Sequence, residues 1–444
     1  GAYCLTEPGA GSDANSGKTK AVLSEDGTHY KITGQKMWIS NAGFAHIFIV
    51  FARIEDDKNI TGFIVPKDLE NGITLGEEEN KLGIKASSTR QVFFNETKVP
   101  VENMLAGRGD GFKIGMNALN VGRIKLAAAC LEAQRRVTTL ATQYATERVQ
   151  FKTPIAQFGA IQQKLAIMAT NTYVSESASY RAAFDIEEKI AQLLEQGLSH
   201  QEAELKGVEE FAIECSILKV SVSEKAQDCT DEGIQIYGGM GFSADAPMEM
   251  AWRDARIARI YEGTNEINRM LCVGMLLKKG FKGEIDLMSA ATKVGQELME
   301  GIPKAELANT FFAEEKNLLQ NLKKAMLMIT GAAVQTFGPK FDKEQQIILA
   351  LSDILIEIYM IESAILRTEK NCERYGIDSQ KNQIEMTQLY LFDAIEKINS
   401  KGKEALVSFA EGAQLKGMIA GLKQYTKYQN YPNVVALRRN VAAT

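Results

Sequence analysis

Residues 261–268 read YEGTNEIN and close the apolar run IARIY at 257–261. Glu262 stands directly before Gly263, and the Thr264–Asn265 pair reads as the opening of a helix. A carboxylate next to apolar residues can be drawn out of water, which raises its pKa toward the range a general base needs near neutral pH. Gly263 lets the backbone pass close to a ligand. The free N–H groups of a helix start suit a carbonyl oxygen or an anion. The competing reading is an ordinary helix N-terminus, where glutamate complements the dipole. The stretch lies within a long helical texture, and the contrast of that texture with a strand-rich beginning sets the fold class.

Working outward, the chain opens with YCLTEPGAGSDANSG (3–17), in which Thr6, Ser12 and Asp13 alternate with Pro8, Gly9 and Gly11. A loop so rich in hydroxyls and exposed N–H groups can wrap a polar ring edge or a phosphate. Two further segments stand out, KMWISNAG (36–43) and IQIYGGMGF (234–242). Each is short enough to arise by chance. The four together, in this order, resemble the acyl-CoA dehydrogenase family.

Composition narrows the alternatives. At 444 residues the chain is too long for one simple core, so two or three domains are expected. A hydrophobic share of 45% and a charged share of 24% are ordinary for a globular protein, and a net charge of −5 argues against nucleic acid as the main partner. The six cysteines form no CxxC pair and read as buried thiols of a reducing compartment. The three histidines (His29, His46, His200) lie outside the motifs, so histidine triads and metal sites are not expected. No signal peptide is visible, and no uncharged apolar run reaches the length of a membrane span.

Residues 1–105 contain the short β-branched and aromatic runs HYKITGQKMWIS, HIFIVFARI, TGFIVP and RQVFFNETKVP, separated by Gly, Asn and Pro. They predict a small antiparallel β-domain, closed or sandwiched. From about Gly111 apolar residues recur at three- and four-residue spacing, which predicts a helical catalytic domain over 106–280. Within it helices are expected at 159–197, 201–237 and 245–279, with the charged segment 186–207 as a solvated excursion. A further helical domain is expected over 281–444. There Ile347, Leu351, Ile354, Leu355, Ile358, Ile361 and Ile365 form an apolar stripe, interrupted for any lipid by Asp353, Glu357 and Glu362. The expected class is α+β.

The resemblance carries further implications, position by position. It implies FAD as cofactor, fatty acyl-CoA as substrate and Glu262 as the base that takes the α-proton while the β-hydrogen leaves as hydride to the flavin. Leu5 and Thr6 match the residues beside the flavin ring, Trp38 the aromatic packed along it, and Ser40 the hydroxyl near its N5. Ser12 matches a hydroxyl on the CoA, and Arg123 the CoA-contacting arginine, with Asn120 where other members have Asp. Gly263 falls among the substrate-binding residues. Arg148 and Phe151, in ERVQF, match residues that meet the FAD of a neighbouring subunit, and Gln235 and Gly239 the pair on its diphosphate. Thr264 and Glu266 fall where the family closes over FAD. Lys152 stands where the family usually has Gly.

In the isovaleryl and long-chain branches the base directly precedes the CoA-contacting arginine. Here that position is Gly122 and Glu262 is retained, which fits the larger branch and argues against the Asp-based nitroalkane oxidases. The resemblance is strong to about Lys279. Beyond it, the chain is similar more weakly to the extra helical region of the very-long-chain branch. The family's N-terminal helical domain is missing from the sequence, which therefore reads as a fragment or a cut chain. The resemblance also implies a homodimer that passes electrons to an electron-transferring flavoprotein, located in bacterial cytoplasm or on the mitochondrial matrix side. A peripheral membrane contact is left open. An acyl-CoA oxidase, or a non-catalytic acyl-CoA- or flavin-binding assembly protein, is the alternative.

Overall fold

The structure is a computed structural model and describes residues 1–303, 307 and 310–443. It separates into two compact units, Gly1–Gly122 and Arg123–Thr444.

The first unit is the expected β-domain. Its strands are β1 (Ala2–Cys4), β2 (Lys20–Leu23), β3 (His29–Ser40), β4 (Ile47–Ile54), β5 (Thr61–Pro66), β6 (Ile73–Leu75), β7 (Thr89–Pro100) and β8 (Met104–Leu105). The sheet runs β6-β7-β3-β2-β4-β5-β8, with β1 added beside β4. Pairing is antiparallel except at β1·β4 and β2·β4, which are parallel. Cys4, Ile32, Phe48, Val50, Phe63, Val92 and Val99 fill its core. The apolar strands read from the sequence supply most of that core, because alternate residues of a strand face one side. β3 and β7 lose register between Ile32 and Gly34 and again between Lys36 and Ile39. The second irregularity carries Trp38.

Helix α1 (Gly111–Glu147) leads into the second unit, followed by a hairpin of β9 (Val149–Gln150) and β10 (Thr153–Pro154). The next helices are α2 (Gly159–Glu195), α3 (His200–Glu210), α4 (Ala212–Tyr237), α5 (Gly239–Phe242), α6 (Pro247–Ala255) and α7 (Asn265–Phe281). The helix expected over 201–237 is two helices that break at Phe211 (φ −100°, ψ 27°). The one expected over 245–279 is interrupted at 260–264, because two left-handed residues there cannot continue a right-handed helix. The segment 186–207 is only partly the solvated excursion its charge suggests. Ile186, Leu193, Ala203 and Gly207 are buried, and a Cβ on Gly207 would lie 2.5 Å from Ile190 Cγ1.

Beyond Gly280 come α8 (Leu287–Glu300), α9 (Ala313–Phe337), α10 (Gln345–Tyr375), α11 (Lys381–Phe409), α12 (Gly412–Tyr425) and α13 (Val434–Ala443). The apolar stripe lies on α10 and is buried except for half-exposed Leu355. It is covered by neighbours in the same chain, since α10 packs on α2, α7, α9 and α11. One apolar cluster joins Ala166, Val174, Leu218 and Val273 to Leu322, Leu351, Ile361, Leu389 and Leu406. The boundary expected near 280 therefore crosses a continuous core. A fully buried aliphatic side chain contributes roughly 1.5–3 kcal/mol, so these helices stabilise the helices that precede them as well as themselves.

Candidate active site

After α6 the chain makes a 3-10 turn at Arg256–Arg259 and reaches Glu262 (φ +61°) and Gly263 (φ +80°). The left-handed conformation at a glutamate costs roughly 1–2 kcal/mol and persists only where the surroundings impose it. The carbonyls of the turn are clamped. Arg123 Nε on α1 donates to Glu262 O at 3.2 Å. Lys219 Nζ on α4 donates to Gly263 O at 2.6 Å and to Asn265 Oδ1 at 2.7 Å. Asn268 Nδ2 donates to Gly263 O at 2.8 Å and to Thr264 O at 3.0 Å. Thr264 caps α7, its Oγ1 accepting from Ile267 N at 3.3 Å. Glu266 follows in the first turn and is exposed.

Glu262 is half-buried, and that burial raises its pKa, with the charges of Arg123 and Lys219 opposing the rise through space. Burial, reinforced by the nearby Arg123 charge, brings Lys219 down to about 8. The result is a carboxylate made more basic, on a turn whose shape is set by buried cations bonded to the main chain. Such a group can accept a proton from carbon if the charge left behind is stabilised.

In the β-domain the first two motifs are brought together around a buried ion pair. Lys36 Nζ, 1% exposed, lies 2.7 Å from Glu7 Oε1 and donates to Leu5 O at 3.1 Å. Glu7 also accepts from the N–H groups of Lys18 and Thr19, and Met37 N donates to Thr6 O at 2.9 Å. Burial works to raise the Glu7 pKa, but Lys36 and these donors more than offset it. Next to this anchor Trp38 is left-handed (φ +60°) and 52% exposed, and Ser40 is exposed at the strand end. Ser12 is exposed, with open space around Gly9 and Gly11.

A third group forms where α1 and α4 end. Tyr144 and Tyr237 stack with centroids 4.0 Å apart. The hairpin starting at Arg148 and the YGGMGF turn therefore leave the helices from neighbouring points. Arg148, Gln235 and Gly239 are exposed, and Phe151 is left-handed (φ +51°) and 90% exposed. Lys152 is also left-handed (φ +61°), a conformation the glycine expected there would adopt without strain. A Cβ on Gly241 would lie 2.4 Å from Ile234 O, so that glycine serves the turn itself.

Arg123, Glu262, Gly263 and Thr264 thus share one constellation, and Asn120 lies one helical turn before Arg123 on α1. Sequence reasoning missed Lys219, Asn265, Asn268, Glu224 and Arg269. The available signal was a lysine inside the apolar run SILKVSV, and asparagines flanking the apolar start of α7.

Comparison with known proteins places the chain in a family. Models described as the acyl-CoA dehydrogenase middle domain and C-terminal domain match residues 2–97 and 109–276, and a second C-terminal model matches 321–424. A probable acyl-CoA dehydrogenase of Bacillus subtilis is 42% identical over 442 residues, covering 100% of this chain and 74% of that protein. The human mitochondrial very long-chain specific acyl-CoA dehydrogenase is 34% identical over 432 residues, and the chain spans 63% of its length. A crystal structure of an acyl-CoA dehydrogenase complexed with FAD from Bacillus anthracis superposes with a TM-score of 0.95 at 42% identity, covering 100% of this chain and 74% of that one. The chain belongs to the acyl-CoA dehydrogenase family and is an enzyme of that family. Among the described residues no helix is long and apolar enough to cross a membrane, and no cluster of three or more His, Cys, Asp or Glu could hold a metal.

Proposed function

We propose that this protein is an FAD-dependent dehydrogenase that converts fatty acyl-CoA thioesters to trans-2-enoyl-CoA in fatty acid β-oxidation. The observation that carries the reading is Glu262, a half-buried carboxylate with a raised pKa on a strained, clamped turn. Glu262 takes the α-proton, and its own N–H faces the thioester oxygen as negative charge develops there. A donor so placed contributes on the order of 3 kcal/mol to the transition state. Arg123, Asn120, Ser12 and Gly263 take the CoA thioester.

The residues present fit a flavin. In the β-domain Trp38 is a large aromatic left exposed on left-handed backbone, a surface on which a planar ring can pack. Leu5, Thr6, Trp38 and Ser40 would hold the ring, Thr264 and Glu266 would close over the cofactor, and Arg148, Phe151, Gln235 and Gly239 would meet the FAD of a second subunit in a homodimer. Bound FAD supplies the acceptor for the β-hydrogen, taken as hydride. An electron-transferring flavoprotein would be the partner that takes the electrons, in bacterial cytoplasm or on the mitochondrial matrix side.

Anaerobic titration of the flavin-loaded protein with acyl-CoAs of graded length tests this. Bleaching of the flavin band by at least one chain length is expected, followed by faster reoxidation with electron-transferring flavoprotein than with air. No bleaching at any length would overturn the dehydrogenase reading, and faster reoxidation by air would make the protein an oxidase.

A further inference from the structure

The helices after Gly280 reach the catalytic turn through an unbroken series of polar contacts between buried and half-buried side chains. Asp353 on α10 is 8% exposed, and its Oδ1 accepts from Arg269 Nε at 2.9 Å. Arg269 grips Glu224 on α4 with both terminal nitrogens, at 2.7 and 2.8 Å. The same carboxylate accepts from Asn265 Nδ2 at 3.0 Å. Asn265 Oδ1 accepts from Lys219 Nζ, which donates to Gly263 O, one residue from Glu262. Asn265 and Lys219 are each at most 1% exposed.

On the reading of Glu262 as the base, we propose that Asp353, acting through Arg269, is a positioning residue for the catalytic turn. Two features favour this over a purely stabilising ion pair. First, Arg269 spends all three of its bonding nitrogens on carboxylates from two different helices, which fixes α7 against α4 and α10 together. Second, Glu262 sits in a left-handed conformation that its neighbours must enforce, and the shortest bond to that turn from α4 is the one Lys219 makes to Gly263 O, with Asn265 Oδ1 sharing the same ammonium. Loosening Arg269 frees Glu224 to rotate, and Glu224 orients Asn265. The fold therefore makes the base's position depend on a helix that contributes no group to the chemistry.

The test compares Asp353→Asn with Glu362→Gln in the flavin-loaded enzyme. Glu362 lies on the same helix and pairs with Arg181 at 3.1 Å and with Lys323, away from this series. Asp353→Asn should lower kcat roughly ten- to a hundredfold with little change in KM, since misplacing a reacting group weakens the chemical step rather than binding. Amide hydrogen exchange over 261–268 should quicken in the same variant, with or without acyl-CoA. Asp353→Glu should recover part of the loss. Glu362→Gln should leave both kcat and exchange at the turn unchanged. If Asp353→Asn does not fold, Arg269→Lys carries the same test, because it keeps the charge and loses the forked grip.

The proposal is overturned if Asp353→Asn matches Glu362→Gln in kcat and in exchange at the turn while Glu262→Gln remains inactive. An active Glu262→Gln would instead remove the reading of the base on which the proposal rests.

Discussion

Glu262 and Glu357 are both withdrawn from water, and the two regions that hold them treat a carboxylate in opposite ways. In the extension, Glu357 is 3% exposed and its oxygens are bonded by Lys397 Nζ at 2.7 Å and Tyr390 OH. Burial works to raise its pKa, but Lys225, Lys397 and these bonds more than offset it and bring it to about 2. At the catalytic turn Arg123 and Lys219 bond main-chain carbonyls and neutral side chains, so burial prevails over their charges and the Glu262 pKa rises. Burial alone therefore does not make a base. What matters is whether nearby charges and donors outweigh burial at the carboxylate, as Lys225, Lys397 and Tyr390 do at Glu357 and Arg123 and Lys219 do not at Glu262.

The largest effect should come from Glu262→Gln, which removes the proton acceptor and little else. Flavin reduction by acyl-CoA should slow by roughly 10²–10⁴-fold while FAD stays bound. Single-turnover stopped-flow absorbance measures this, and a variant retaining a large part of the wild-type rate would break the comparison at its first term.

Next in size is Glu357→Ala, which leaves Lys225 and Lys397 facing each other without their carboxylate. Removing one partner of a buried ionic group costs about 3–5 kcal/mol, read as a lower urea midpoint with unchanged slope. The double change Glu357→Met with Lys397→Met should recover only part of the loss, since Lys225 stays buried without this carboxylate. If Glu357→Ala is neutral, this carboxylate is not a structural strut.

The two glutamates should also respond to pH with opposite sign. Glu357 has a folded pKa depressed from the ordinary 4.5 to about 2, so its contribution is present above 4.5 and is lost as pH falls through about 2. That contribution is on the order of 3 kcal/mol, and acid unfolding of the Glu357→Gln variant should show less of it. Glu262 has a raised folded pKa, so any stability from its protonated form is present below the ordinary value and lost as pH rises through the folded one. Glu262→Gln should therefore be more stable than wild type at neutral pH. The acid limb of kcat/KM should lie above the ordinary glutamate pKa. A limb at or below that value would contradict the desolvation argument.

The smallest effect concerns strain that no chemistry requires. Lys152→Gly relieves a left-handed lysine, worth about 1 kcal/mol, against a glycine entropy cost of about 0.5–1 kcal/mol. The melting temperature should move by a few degrees at most, upward or not at all. A clear drop would mean that the lysine side chain itself holds the hairpin, which would set this strained site beside Glu262 as one its neighbours enforce.

The sequence by itself determined the two textures and most of what lies along single elements. Period-two apolar runs became β3, β4, β5 and β7, and the seven-residue stripe became the buried face of α10, because such patterns record which side of an element avoids water. Glycine-rich turns and the YEGT run were legible for the same local reason. Tertiary structure alone decided what crosses between elements. The break at 260–264 depends on Arg123, Lys219 and Asn268 holding two left-handed residues, and no local propensity predicts that. The core that runs past Gly280, the cations and donors that force Glu357 down and the burial that lets Glu262 rise all join residues far apart in the chain. A pKa is set by what surrounds a group in space, and a sequence gives only its neighbours along a line.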